Sequence, residues 1–177
     1  MDNERKEKLH DVYRRHAKML YLYLLKLTGS PTVAEDLVQE TFYKATLSLA
    51  FYHDQEVKSW LFKVARHTYL DQWRKRKRWE WVPFIEVLHK GEEMLSPFEQ
   101  PEDYVISKES EKDLLNLNKQ LPETYRTILY LREDEGLSYK ELSEALEMNE
   151  NQVKVTLHRA RQRLHQLANK NHRKGVE

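Results

Sequence analysis

The chain has 177 residues, of which 33% are charged and 40% hydrophobic, and a formal net charge of +1 at pH 7. That length admits one large domain or two small ones with modest cores, and so small a net charge excludes binding to nucleic acid by bulk charge alone. The absence of cysteine excludes disulfides and thiolate metal sites and fits a reducing cytoplasm. Four glycines and five prolines argue against a turn-rich β fold, and abundant Leu, Glu, Lys and Arg argue for an all-α one. The opening MDNERKEKLHD has no apolar leader. No apolar run approaches the ~18 residues of a membrane span, so insertion into a bilayer is not expected.

The first predicted helix runs from Leu9 to Leu27 and stops at Thr28-Gly29. Ser30 and Pro31 start a second, with proline at its first position and Glu35 and Asp36 near its positive end. Along it Ala34, Leu37, Val38, Thr41, Ala45 and Leu49 share a face that should be buried. The other face carries Asp36, Gln39, Glu40, Tyr43 and Leu47, an acidic surface with two apolar interruptions that suits a protein partner. A merely solvated face explains it equally well.

A third helix is expected from about Val57 to Lys77. Trp60, Leu61, Val64, Ala65 and Thr68 form its core side, while Lys63, Arg66, His67, Leu70, Trp73, Arg74 and Lys77 recur on the opposite side. Cations there can neutralise phosphates, and an accessible Trp and imidazole offer planes for unstacked bases. The rival reading packs Trp73 on a neighbouring helix. The helix ends in the unbroken basic run Arg74, Lys75, Arg76, Lys77 and Arg78.

Residues 81–111 hold three of the five prolines and an excess of acids, with scattered apolar anchors that include Trp81, Phe84, Ile85, Leu88 and Phe98. They read as an acidic linker between a domain at 1–80 and another at 112–171, with 172–177 as a tail. The charge plan is basic, acidic, basic, and the two modules are expected to be kept apart by the strap.

The most informative stretch is Ser138 to Leu164. Ser138 with Glu141, and Asn149 with Gln152, each spell a capping box. Tyr139, Leu142 and Leu146 line one face of the first short helix; Val153, Leu157, Ala160, Leu164 and Leu167 line one face of the second. Opposite them stand Asn151, Lys154, Val155, His158, Arg161 and Gln162. This is the pattern of a helix-turn-helix whose second helix enters the major groove of duplex DNA.

Together, AEDLVQETFYKA (34–45), WLFKVARHTYLDQWRKRKR (60–78), LPETYRTILYLREDEGLSYKEL (121–142) and VKVTLHRARQRL (153–164) resemble the extracytoplasmic-function sigma factors of bacterial RNA polymerase. The resemblance implies a four-helix region 2 and a helix-turn-helix region 4, and no catalytic residue, cofactor or metal. It implies as partners the polymerase core, through the β′ clamp helices and β flap, promoter DNA, and an anti-sigma factor. By the same resemblance Asp36, Gln39, Glu40 and Tyr43 meet the polymerase. Lys63, Arg66, His67, Trp73, Arg74, Lys75, Arg76, Lys77 and Arg78 meet the opened −10 element. Asn151, Gln152, Lys154, Val155 and His158 meet the −35 groove, with Arg159, Arg161 and Arg163 for its phosphates. Many members have Asn where His67 stands, and Val155 reads a base only through a thymine methyl, so promoter sequence does not transfer.

Two other classes fit parts of the pattern. One is a helix-turn-helix regulator acting as an operator-binding homodimer. The other is a metal-dependent enzyme built on His67 and Asp71, for which two ligands make no site.

Overall fold

The computed structural model describes residues 2–48, 56–79, 117 and 119–174, with side chains described for 7–47, 56–76, 117 and 119–170. Its helices are α1 (Asp2–Thr28), α2 (Pro31–Ser48), α3 (Val57–Trp79), α4 (Glu123–Leu129), α5 (Tyr139–Leu146) and α6 (Glu150–Lys174). No strand occurs among the described residues. None of their helices is long and apolar enough to cross a membrane. The acidic stretch 81–111, with its apolar anchors, lies outside the described residues, as does the end of the tail.

Helix α1 begins well before Leu9 and ends where Gly29 takes φ +67°, a left-handed conformation that glycine adopts without a Cβ clash. The Gly29 amide still donates to the Leu25 carbonyl at 2.8 Å, and the Thr28 hydroxyl to that of Leu24 at 2.8 Å. Three long helices then pack around Leu20, Tyr23, Leu24, Leu37, Val38, Leu61, Phe62 and Ala65, all essentially excluded from water. On the expected α2 face Ala34, Leu37, Val38, Thr41 and Ala45 are buried, and Leu49 lies outside the described residues.

In the second half α4 runs into a wide π-helical turn, Tyr130–Asp134, where the Glu135 amide reaches back to the Tyr130 carbonyl at 3.1 Å. Such a turn inserts a residue and re-aims the side chains that follow. Gly136, at φ +69°, reverses the chain. Ser138 and Glu141 then form a complete capping box on α5: the Glu141 amide donates to Ser138 Oγ at 3.2 Å and the Ser138 amide to Glu141 Oε2 at 2.7 Å. Leu142, Leu146, Val153, Leu157 and Ala160 form the α5–α6 seam.

The two halves are not kept apart. One apolar core runs from α1 through α6, because Tyr130 of the π turn joins Tyr23 and Phe62, with ring centroids 5.6 and 6.5 Å away. A buried polar chain crosses the same seam. The Tyr23 hydroxyl lies 3.0 Å from Thr127 Oγ1, which donates to Glu123 Oε1 at 2.7 Å. Glu123 in turn accepts two hydrogen bonds from Arg66, from Nε at 2.8 Å and Nη2 at 2.9 Å. Thr127 has one hydroxyl hydrogen and gives it to Glu123, so Tyr23 donates to Thr127. Burial pushes the Tyr23 phenol well above its ordinary pKa, which keeps it a donor.

Thr127→Val keeps the volume but removes the link, leaving the Tyr23 hydroxyl buried and unsatisfied. Denaturant unfolding should show a loss of about 1–3 kcal/mol; an unchanged midpoint would contradict the relay. Ser138→Ala removes a cap and should cost ~1 kcal/mol in the same measurement.

Candidate nucleic-acid interface

The second capping box is formed as its sequence predicts. The Gln152 amide donates to Asn149 Oδ1 at 2.8 Å, and the Asn149 amide to Gln152 Oε1 at 2.9 Å. This fixes the entry angle of α6, whose Val153, Leu157 and Ala160 are buried while Asn151, Gln152, Lys154, His158 and Arg159 are exposed. Val155 is 48% exposed, an apolar group presented to solvent on the outward side. Two residues expected at the groove have other engagements. The Gln152 side-chain oxygen accepts from the backbone, and Arg161 Nε turns toward the π turn to bind Glu133 Oε1 at 2.9 Å. Arg163 stays exposed beside Gln166. Lys154 Nζ stands 5.5 Å over the Tyr139 ring, held at the lip of the outward face.

Helix α3 departs further from expectation. Of its predicted core side Trp60, Leu61, Ala65 and Thr68 are buried and Val64 is partly buried, while Phe62 and Tyr69, not assigned to that side, are buried as well. The stripe predicted opposite is paired with acids along its first half, though His67 keeps 46% of its side-chain surface exposed. Arg66 is clamped by Glu123, with side-chain exposures of 13% and 15%. Lys63 Nζ lies 3.1 Å from Glu147 Oε1, and His67 Nε2 lies 2.6 Å from Glu147 Oε2. Leu70, placed on the same stripe, packs against the core instead. Beyond it the stripe opens. Trp73 is 44% exposed, against the rival reading that packs it on a neighbouring helix, and Arg74, Lys75 and Arg76 are exposed. Lys77 and Arg78 continue the helix, and their side chains lie outside the described residues.

The electrostatics follow from this geometry. Burial alone would lower the Arg66 pKa, but the hydrogen bonds and charge of Glu123 outweigh it and raise it. Hydrogen bonds from Lys63 and then His67 hold the Glu147 carboxyl below the usual range. Glu147 makes these contacts from an unusual backbone position. It caps α5 at φ +55°, where glycine or asparagine is commoner.

On α2, Asp36 and Gln39 are exposed, and Tyr43 and Leu47 keep 69% and 66% of their surface. Glu40 is half-buried and pairs with Lys44 at 3.0 Å. The acidic, apolar-studded face is therefore present as one surface. Among the described residues no group of three His, Asp or Glu is arranged for a metal ion. Asp71 lies 3.5 Å from Arg74, and His67 faces Glu147.

Sequence reasoning missed the acids of the second half as partners for α3. Glu123, Asp134, Glu135, Glu144 and Glu147 all cross to the first half: Lys26 binds Asp134 at 3.1 Å, Lys58 binds Glu135 at 3.1 Å, and Ser59 donates to Glu144 at 2.7 Å. The run Arg132-Glu133-Asp134-Glu135 was the available signal. It also missed an apolar groove lined by Leu117, Leu129, Leu164 and Ala168, with Glu133 and His165 at its edge. No single helix period announces a groove formed between elements.

Residues 12–79 match the sigma-70 region 2 family and residues 112–164 match sigma-70 region 4. The chain is 34% identical over 166 residues to the ECF RNA polymerase sigma factor SigM of Bacillus subtilis (strain 168), covering 92% of this chain and 96% of that one. It is 31% identical over 157 residues to RNA polymerase sigma factor YlaC of the same organism, covering 88% and 89%. Among solved structures it is similar to the sigma factor RpoE in complex with the anti-sigma factor NepR from Bartonella quintana. That match has a TM-score of 0.68 at 26% identity and covers 93% of this chain and 96% of that one. A likeness to CnrH in complex with the cytosolic domain of CnrY, at TM-score 0.63 and 20% identity over 93% and 90%, shows the shared fold. With both regions in order, and relatives matched over nearly their whole length, the chain belongs to the extracytoplasmic-function sigma factors, which direct RNA polymerase to promoters.

Proposed function

We propose that residues 1–80 act as region 2, 81–111 as an acidic linker, 112–171 as region 4 and 172–177 as a tail, working in the cytoplasm on core polymerase and promoter DNA. The observation that carries this reading is the outward face of α6, where Asn151, Lys154, Val155 and His158 are exposed on a helix held by a complete cap. In the −35 major groove, Lys154 and His158 address base edges and Val155 addresses a thymine methyl. Arg159 and Arg163 address phosphates, joined by Arg161 once it leaves Glu133. Gln152 serves chiefly to hold the helix start.

Region 2 meets the β′ clamp helices with Asp36, Gln39, Glu40 and Tyr43, and the exposure of Tyr43 supports this. The apolar groove beside α6 suits the β flap. Lys63, Arg66, His67 and Trp73 receive the opened −10 strand, with Arg74, Lys75, Arg76, Lys77 and Arg78 on the adjoining backbone. Unpairing costs a few kcal/mol, which stacking and phosphate contacts offset. An anti-sigma factor is the expected regulator, since the similar sigma factor RpoE was solved with the anti-sigma factor NepR. An operator-binding homodimer is not favoured, because it gives region 2 no task.

Replacing Asp36 and Glu40 together by Ala should abolish co-purification with core polymerase while duplex DNA binding survives; retained holoenzyme assembly would refute the clamp assignment. Lys154→Ala should cost ~1–3 kcal/mol of discrimination at one −35 position. Competition binding against single-base operator variants reads this directly, and an equal weakening on every sequence would assign Lys154 to the backbone instead.

A further inference from the structure

We propose that Tyr139 is a positioning residue for promoter reading: its ring holds Lys154 in the pose that meets a −35 base edge, and so sets how sharply that base is discriminated. The proposal rests on the assignment of Lys154 to the −35 groove.

The cations assigned to DNA are held in different ways. Lys63, Arg66 and Arg161 pair with the carboxylates of Glu147, Glu123 and Glu133. Lys154 is exposed on the outward face of α6 and pairs with no carboxylate among the described residues. Its Nζ stands 5.5 Å over the Tyr139 ring instead. The difference matters chemically. An acid that fixes a cation also takes up its N–H donors and cancels its charge. A ring face within about 6 Å attracts the ammonium through its quadrupole and leaves those donors for an acceptor edge such as N7 and O6 of guanine.

Both ends of the contact are anchored. Tyr139 is the first residue of α5, where the capping box of Ser138 and Glu141 fixes the turn. Its side chain packs against the core. The Arg132 guanidinium carbon lies 5.0 Å over the same ring, and Arg132 Nη1 donates to the Leu137 carbonyl at 2.6 Å. The Asn149–Gln152 box fixes the start of α6 just before Lys154. Only the lysine side chain is left to order.

That ordering bears on specificity. A lysine free to swing loses many rotamers on docking, and beside a wrong base it can turn to a phosphate that every sequence offers. A lysine kept at the ring spends less on ordering before the right acceptor, and meets a wrong base with its charge still at that base's edge.

The test uses the full-length chain assembled on core polymerase, in competition among promoters that differ at single −35 base pairs. Tyr139→Leu should lower discrimination by about threefold at the base pair that Lys154→Ala identifies, and nowhere else. Tyr139→Phe should keep it, and in the Lys154→Ala background Tyr139→Leu should add nothing there. In the free chain, the ring current should shift the Lys154 methylene protons upfield in wild type and Tyr139→Phe, and not in Tyr139→Leu. Tyr139→Met serves in both measurements if Tyr139→Leu does not fold. Uniform weakening on every promoter, or a loss that persists without Lys154, overturns the proposal and leaves Tyr139 a backbone contact or a structural residue. An equal loss in Tyr139→Phe overturns it by giving the role to the hydroxyl, and unshifted Lys154 protons overturn the contact itself. If Lys154→Ala weakens all promoters alike while the ring-current shift is present, the assignment of Lys154 to a base fails instead, and the proposal with it.

Discussion

A guanidinium and a carboxylate, largely withdrawn from water where α3 meets α4, set the geometry of everything around them. Taking both charges out of solvent carries a desolvation penalty that is offset only if the pairing is close and the remaining lone pairs are satisfied. Arg66 and Glu123 meet through two hydrogen bonds, and Glu123 accepts a third from Thr127. Thr127 then ties Tyr23 of α1 into the same chain. Each member is held by the next, so the seam has one register and not a sliding range of them. Apolar packing between Tyr23, Phe62 and Tyr130 supplies attraction, and the polar chain supplies direction.

The periphery of that seam is of a different kind. Lys26–Asp134 and Lys63–Glu147 are partly solvated pairs, each worth little by itself and weakened by salt. Their value lies in sign. A first half rich in outward cations meets a second half whose π turn and α5 cap present acids, so mutual neutralisation is possible without net charge.

Local backbone irregularities place the acids. An uninterrupted α-helix through 130–134 would point Asp134 and Glu135 in other directions, and the wider turn brings both onto the α1–α3 side. Glu147 occupies a left-handed position that a non-glycine residue takes up at some cost. In return its carboxylate lies between Lys63 and His67. Strain of this sort is retained where the surroundings over-determine it, and here the Lys63 ammonium and the His67 imidazole do so.

What the amino-acid order determined by itself was the local and the periodic. Helix faces follow from a 3.6-residue repeat, so the buried sides of α2, α3 and α6 were legible, and so were both capping boxes, whose partners sit three residues apart. Gly29 marked the end of α1 for the same reason. The family was legible because its motifs are contiguous stretches. Only the tertiary structure decided which polar faces meet water. Lys63, Arg66 and His67 have the same sequence pattern as an open nucleic-acid stripe, and nothing within α3 distinguishes that stripe from one paired with acids 57 to 84 positions downstream. Period sorts apolar from polar within one helix. Pairing between polar faces of distant helices depends on how their axes cross, and that crossing is fixed by core packing summed over many side chains.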